Sequence, residues 1–267
     1  MAQTGAFGIP FSVTPRTVLR QAWEPAAPDK RPVNIDLAGR MRRRAESVQR
    51  LEAFLDIPMA DCLAIVTSAQ DRHYNRSFNV FLEDEPFDGV VLLLSGCLKI
   101  TQRGSYEQDI ILRLNGPGEL LGSVVERNLT RTSVSARAVQ PTTALVWQTS
   151  AFRAALERFP LLRRNVSHGI ERQLDELDIR FREISTEKVA SRLSSLLVRL
   201  IKQVGRGEEG QMEIALSRQE LAQLTGTTLF TVSRLLCRWE TQGILSARRE
   251  NVLIHDVAAL LEFSQQE

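Results

Sequence analysis

The apolar positions change period along the chain, and the changes divide it. Up to about residue 45 there is no period. Pro10, Pro15, Pro25, Pro28 and Pro32 interrupt a stretch with few grouped apolar residues, which predicts a flexible N-terminal extension over 1–45. Arg40, Arg42, Arg43 and Arg44 close it and lead into a helical pattern through Val48, Leu51, Phe54 and Leu55. A charge run on a helix is usually a solvated face, and that reading is preferred here; contact with phosphate or a partner is the alternative.

From about 72 to 150 the period becomes two. Phe78–Leu82, Val90–Leu94, Leu98–Ile100, Ile110–Leu114, Val134–Ala138 and Ala144–Trp147 are short apolar segments separated by Gly89, Gly96, Gly104, the run Asn115 to Gly118, and Pro141. Many short strands with turn residues between them predict a β-sandwich or barrel. Helical spacing returns with a short helix over Ser150–Phe159, stopped by Pro160, and then a long one from about Leu161 to Ile184. On the long helix Val166, Ile170, Leu174, Leu177, Phe181 and Ile184 are spaced 4, 4, 3, 4 and 3, the seam of a coiled coil. The stripe predicts a helix shared by two copies of the chain; the plainer alternative is packing on its own β-domain. A further helix, about Glu187 to Val204, shows Val189, Leu193, Leu196, Leu197, Leu200 and Ile201 on one face and ends in a loop with Gly205, Gly207 and Gly210.

The segment LSRQELAQLTGTTLFTVSRLLCRWETQGIL, Leu216 to Leu245, is the most specific in the chain. Ser217 and Glu220 form a capping box, S-x-x-E, which opens a helix. Leu221 and Leu224 are its inner face, and Ala222 is small enough for a second helix to come close. Gly226 supplies a tight turn, and Thr227 and Thr228 cap the next helix. Val232, Leu235 and Leu236 point inward there. Two helices joined this way make a helix-turn-helix. Thr228, Leu229, Thr231, Ser233, Arg234 and Arg238 lie outward, and hydroxyls and arginines suit base edges in a major groove. Gly243 ends the helix, and Ile244 to His255 reads as a hairpin wing with Arg248 and Arg249 at its tip, near phosphates.

Composition adds limits. The formal charge is only +2, so nucleic-acid binding has to come from local patches. Cys62, Cys97 and Cys237 are far apart and form no CxxC pair, which argues against a disulfide framework or a zinc site; no metal is expected, and a reducing cytoplasm fits. No apolar run reaches the ~18 residues of a membrane span, and the first residues do not read as a secretory leader. No nucleophile elbow, HExxH, P-loop or acid pair is found, so an enzyme is not expected.

At these residues the chain resembles the Crp–Fnr family of regulators, over about 50 to 260. EKVASRLSSLLVRL and the helix-turn-helix segment carry the C-terminal resemblance, and LSGCLKI and LNGPGELLG the glycine-marked turns of a β-roll. The resemblance implies an α+β fold: a double-stranded β-helix (a jelly-roll-like β-roll) over 46–160, a dimerisation helix over 161–186 and a winged helix-turn-helix over 187–267. It implies a homodimer joined along Val166, Ile170, Leu174, Leu177, Phe181 and Ile184, hinged near Ser185–Thr186. It implies binding to palindromic double-stranded DNA, and contact with RNA polymerase if the protein is an activator. Ser217, Arg218, Gln219, Thr227, Thr228, Leu229, Phe230, Thr231, Ser233, Arg234, Arg238 and Arg248 are the expected DNA-facing residues. The competing expectation is a small-molecule-binding regulatory module that acts mainly through a protein partner.

Departures from the family bear on the effector. Members that bind cyclic AMP carry GExxGE and then an Arg-Ser/Thr pair. Here the cassette is Gly118, Glu119, Leu120, Leu121, Gly122 and Ser123, with a serine where the ribose-binding carboxylate belongs. Arg131 or Thr132 falls at the arginine position, followed by Ser133, and Leu177 and Asp178 replace the base-facing hydroxyls. The expectation is an effector pocket of unknown ligand that disfavours cyclic AMP. No cysteine precedes Cys62, which excludes the family's iron–sulfur centre, and no histidine or cysteine lies between 98 and 167, which argues against haem. His73 and His168 read as surface or structural residues and Cys97 as a small core residue. Many family members also place a glutamate, which reads cytosine, where this chain has Phe230. Phe230 either meets a thymine methyl or packs between the helices, and Arg234 keeps the family's guanine contact.

Overall fold

The computed structural model describes residues 37–104, 109–122, 131–205 and 212–264. Residues 1–36, 105–108, 123–130 (Ser123 among them), 206–211 and 265–267 lie outside the described residues.

The strands β1 (Gln70–Tyr74), β2 (Asn79–Phe81), β3 (Val90–Ser95), β4 (Leu98–Arg103), β5 (Asp109–Asn115), β6 (Leu120–Gly122), β7 (Ser135–Ala138) and β8 (Thr142–Trp147) form two antiparallel sheets. Their orders are β1-β8-β3-β6 and β2-β7-β4-β5, the two layers of a β-roll. β3 explains how the layers are held. Val91 and Leu93 point between the sheets toward Phe81, Leu98, Ile100 and Ala136. Val90 and Leu92 point the other way, toward Leu145, Trp147 and a helical cover. A strand buried on both faces reads as an unbroken apolar run instead of an alternation. The short β1 and β6, unlike the six segments expected, carry too few apolar residues to show a period.

The cover is α1 (Leu37–Val48), α2 (Met59–Thr67), α3 (Thr149–Arg158) and the start of α4 (Pro160–Thr186). Trp147 anchors it, edge-on to Phe152 at 5.4 Å and donating its indole N–H to the Ile65 carbonyl at 3.0 Å. Two expectations need correction here. α1 begins inside the stretch expected to be extended and stops at Val48, and Phe54 reaches the core from a separate 3-10 turn, Glu52–Phe54. Arg44 is not a solvated charge. It is buried, with Nε bonded to Asp71 Oδ1 at 3.1 Å and Nη1 to the Ala69 carbonyl at 3.0 Å. A buried guanidinium of this kind is tolerated because its donors are met.

On α4 the apolar stripe divides. Val166 is buried in the chain's own core and Ile170 packs against it, so these two are not free for a partner as expected. Leu174, Leu177, Phe181 and Ile184 stand exposed, Leu177 at 58% and Phe181 at 74%. The helix also runs further than expected. It continues through Ser185 and Thr186, whose hydroxyls bond the carbonyls of Phe181 and Arg182 one turn back. The break falls at Glu187–Lys188, both extended, two residues beyond the expected hinge.

After it come α5 (Val189–Val204), β9 (Met212–Ile214), α6 (Arg218–Thr225), α7 (Leu229–Thr241), β10 (Leu245–Ala247), β11 (Val252–Ile254) and α8 (Val257–Ser264), with sheet order β10-β11-β9. Their core is Leu193, Leu197, Leu221, Val232, Leu236, Trp239 and Leu260. β9 and α8 were not expected. β9 is only three residues long; α8 carried a readable signal, Asp256, whose carboxylate accepts the Ala259 amide at 2.9 Å. Cys97, Ile111 and Leu114 of the β-roll join this same core, so the β4–β5 ribbon lies against the helix-turn-helix.

Candidate nucleic-acid interface and effector cavity

The helix-turn-helix forms as its residues predict. Ser217 Oγ accepts the Glu220 amide at 3.2 Å while Glu220 Oε2 accepts the Ser217 amide at 2.9 Å, so two helix-end donors are met reciprocally. Gly226 takes φ 63°, a left-handed conformation that ends α6, and the Thr227 amide reaches back to the Ala222 carbonyl at 3.0 Å. Thr228 caps α7, its hydroxyl accepting the Thr231 amide at 3.2 Å. Ala222 and Val232 are buried where the helices cross.

The exposed face of α7 begins at its first turn. Leu229 and Phe230 are exposed, Phe230 at 76%, which removes the alternative that it packs between the helices. Thr228, Arg234 and Arg238 are exposed beside them, Thr231 and Ser233 half-buried. Gln219 is exposed on α6, Thr227 half-buried. Ser217 is engaged in the capping box, and Arg218 turns to the wing, with Nη2 on the Ala247 carbonyl at 3.1 Å. The wing is the β10–β11 hairpin, closed by the Arg248 amide on the Asn251 carbonyl at 2.9 Å, with the Arg248 and Arg249 side chains exposed. Hydroxyls, arginines and two apolar side chains therefore share one outward surface.

A second feature lies between the β-roll and α4. Every described residue of the expected effector set, Gly118 to Gly122 and Arg131 to Ser133, lines one cavity of about 560 Å³. Gly122 sits there at φ 93°, and a Cβ on it would fall 2.2 Å from the Gly89 carbonyl oxygen, so only glycine lets β6 lie this close. Arg131 donates to the Asp84 carbonyl at 2.9 Å, and Thr132 gives its hydroxyl to the Leu82 and Glu85 carbonyls. Ser123 lies outside the described residues. Burial pushes the Glu119 carboxyl up to about 7, against the opposing hydrogen bonds from the Gly116 amide at 2.8 Å and Gln203 Nε2 at 3.0 Å.

Sequence reasoning missed the side chains that join cavity and helix-turn-helix. Gln203 on α5 bonds both Glu119 and the Leu114 carbonyl. Arg180 on α4 bonds the Leu112 carbonyl of β5 and the Leu224 carbonyl at the end of α6. Arg199 on α5 pairs with Glu183 on α4, Nη2 to Oε2 at 2.9 Å. Arg76 of the β-roll pairs with Glu250 of the wing at 2.8 Å. Nothing in local spacing signals pairs that are this far apart in the chain.

A β-roll with a cavity, a long helix and a winged helix-turn-helix together define a DNA-binding regulator. The model of the Crp-like helix-turn-helix domain matches residues 191–263, and that of the cyclic nucleotide-binding domain matches 71–159. With both modules in this order the chain belongs to the Crp–Fnr family of transcription regulators. It is similar to the "Cyclic AMP receptor protein" of Thermus thermophilus, 29% identical over 195 residues, covering 73% of this chain and 88% of that one. It is also similar to the "CRP-like cAMP-activated global transcriptional regulator" of Mycobacterium tuberculosis, 24% identical over 213 residues, 79% and 95% of the two chains. Among solved structures, FixK2 from Bradyrhizobium japonicum shares the fold, with TM-score 0.64 and 20% identity over 74% of this chain and 98% of that one.

Proposed function

We propose that the protein acts as a homodimer joined along the exposed part of α4, placing the two copies of α7 in successive major grooves of a palindromic site. In this reading residues 46–160 sense an effector in the cavity, 161–186 dimerise and 187–267 bind DNA. Arg234 reads guanine, Phe230 meets a thymine methyl, Arg238 and Thr231 support them, and Arg248 and Arg249 contact phosphate. Arg218 holds the wing in place. The reading places the protein in the cytoplasm without enzymatic activity and, if it activates transcription, in contact with RNA polymerase. Among the described residues, no helix is long and apolar enough to cross a membrane.

The observation that carries this reading is the first turn of α7, where Leu229 and Phe230 remain in water beside Arg234. Two large apolar side chains at the start of such a helix are explained by a partner that presents methyl groups and acceptors together. Selection of bound sequences from random duplex DNA tests it. A palindrome should be enriched, with half-sites about one helical turn apart, and Arg234→Ala should weaken it by about 1–3 kcal/mol. Absence of enrichment with any added ligand, or a site indifferent to Arg234→Ala, removes the proposal.

A further inference from the structure

β5 is an edge strand, so its outer row of backbone groups has no partner inside the sheet. Three of its carbonyls are met by side chains from three helices. Gln223 on α6 donates to the Asp109 carbonyl at 3.2 Å, Arg180 on α4 to the Leu112 carbonyl, and Gln203 on α5 to the Leu114 carbonyl at 3.1 Å. A β-bulge shapes this edge. Ile111 pairs with Thr101 and Arg113 with Ile100, so Leu112 is one residue too many for β4. The extra residue breaks the alternation of sides. Leu112 and Arg113 both border the cavity, while Ile111 and Leu114 both enter the core of the helix-turn-helix module. The bulged strand is thereby a ledge against which α6 is seated.

We infer that the β4–β5 ribbon sets the distance between half-sites that the protein accepts, with Arg180 as the positioning residue. The inference rests on the reading of the protein as a dimer on a palindrome and goes beyond it. Between α4 and α5 the chain has only the extended pair Glu187–Lys188, a link about which a module carrying α7 could swing. The ribbon removes that freedom. The Arg180 guanidinium joins α4 to the ribbon and, at 3.4 Å, to the Leu224 carbonyl near the end of α6. At the other end of α6, Lys99 of β4 meets Glu220 at 2.6 Å, and Arg76 of the β-roll holds Glu250 of the wing at 2.8 Å. Contacts at both ends of α6 and at the wing fix an angle, where a single contact would leave a pivot. The seated module keeps its DNA face free, since Thr228, Leu229, Phe230, Arg234 and Arg238 are exposed. In a dimer the two copies of α7 are then held at one separation. DNA that offers its second half-site elsewhere has to deform or give up a contact.

The test takes the palindrome selected by the full-length protein and remakes it with one base pair inserted or removed at its centre. Fluorescence anisotropy measures the affinity for each duplex. One base pair turns the second groove by about a tenth of a helical turn. The wild type should lose about tenfold or more in affinity, comparable with the loss of a base contact. Arg180→Met should bring that loss to about threefold or less, since two hydrogen bonds that hold α6 in place are gone. Gln223→Ala, at a half-buried side chain on the outer side of α6, should reduce it to an intermediate extent. A merely structural fault lowers the active fraction for every duplex alike and leaves the ratio between spacings unchanged, so the ratio reads positioning. Equal affinity of the wild type for all spacings, or the wild-type ratio kept by both variants, overturns the inference; the first of these needs no variant to fold. A selection that yields no palindrome removes the dimer reading itself, and this inference with it.

Discussion

Lys99 Nζ on β4 lies 2.6 Å from Glu220 Oε1 on α6, so an ion pair joins the β-roll to the helix that opens the helix-turn-helix. Both side chains are mostly buried, at 19% and 22% exposure. Glu220 is also the acidic member of the capping box, so the contact with the β-roll and the start of α6 depend on one carboxylate. Its burial opposes ionisation, but hydrogen bonds from Lys99 and Ser217, with the Lys99 charge, outweigh that and hold the carboxyl below its usual range. The stability it contributes is thus present above the ordinary carboxylate range and is lost as acid titrates it.

Lys99→Met and Glu220→Gln should each destabilise the fold, and the double variant should lose less than their sum. A coupling of about 1–2 kcal/mol is expected for a pair this sheltered, above the figure for exposed pairs. Urea unfolding of the four proteins measures it; strict additivity would mean that the contact carries no energy.

The raised pKa of Glu119 acts on stability with the opposite sign. The folded protein prefers the protonated carboxyl, with the unfolded value near 4.5 and the folded value about 7. Stability from this group is therefore complete below 4.5 and declines as pH rises through 7. Arg113 and Glu176 are the charged groups that face it, and they pull in opposite directions. In unfolding measurements at pH 5, 6, 7 and 8, Glu119→Gln should lose this decline, so that its stability relative to wild type improves with pH. A constant difference across the series would contradict the assignment.

The divided stripe on α4 separates two kinds of substitution. Phe181→Glu places a charge on a side chain that only a second copy would cover, and sedimentation should show monomers at concentrations where the wild type is dimeric. Val166→Ala opens a gap in the chain's own core and should cost about 2 kcal/mol of stability, leaving the dimer intact. Dimers that survive Phe181→Glu would move the interface elsewhere.

Phe230 should set one position of each half-site. Phe230→Ala should reduce the preference for thymine there by about 1 kcal/mol, and Phe230→Glu should shift it toward cytosine, whose amino group a carboxylate accepts. Repeating the DNA selection with each variant shows whether only that column of the motif changes. A motif unchanged in both would place Phe230 outside the DNA contact.

The elements of the helix-turn-helix were legible because their signals are local. Ser217 and Glu220 are three residues apart, Gly226 needs no distant partner to take a positive φ, and Val232 and Leu236 share a face by spacing alone. The β-roll strands were legible where apolar residues alternate or cluster, and β1, β6 and β9 were not, because three to five mostly polar or half-buried residues show no period. The cavity's glycine turn and Arg131 could be named, but Arg113 could not, since one arginine on a strand does not show which side of a sheet becomes a cavity wall.

By itself, then, the sequence determined the order of modules, the helix-turn-helix and the apolar stripe of α4, all of which follow from backbone preferences and spacing within a few turns. Tertiary structure alone decided which part of that stripe the chain covers for itself, that Arg44 is a buried partner of Asp71, and that Lys99 meets Glu220 from 121 residues away. The reason is physical: periodicity shows that a face is apolar or a side chain charged, while what covers the face or neutralises the charge depends on chain segments that only folding brings into contact.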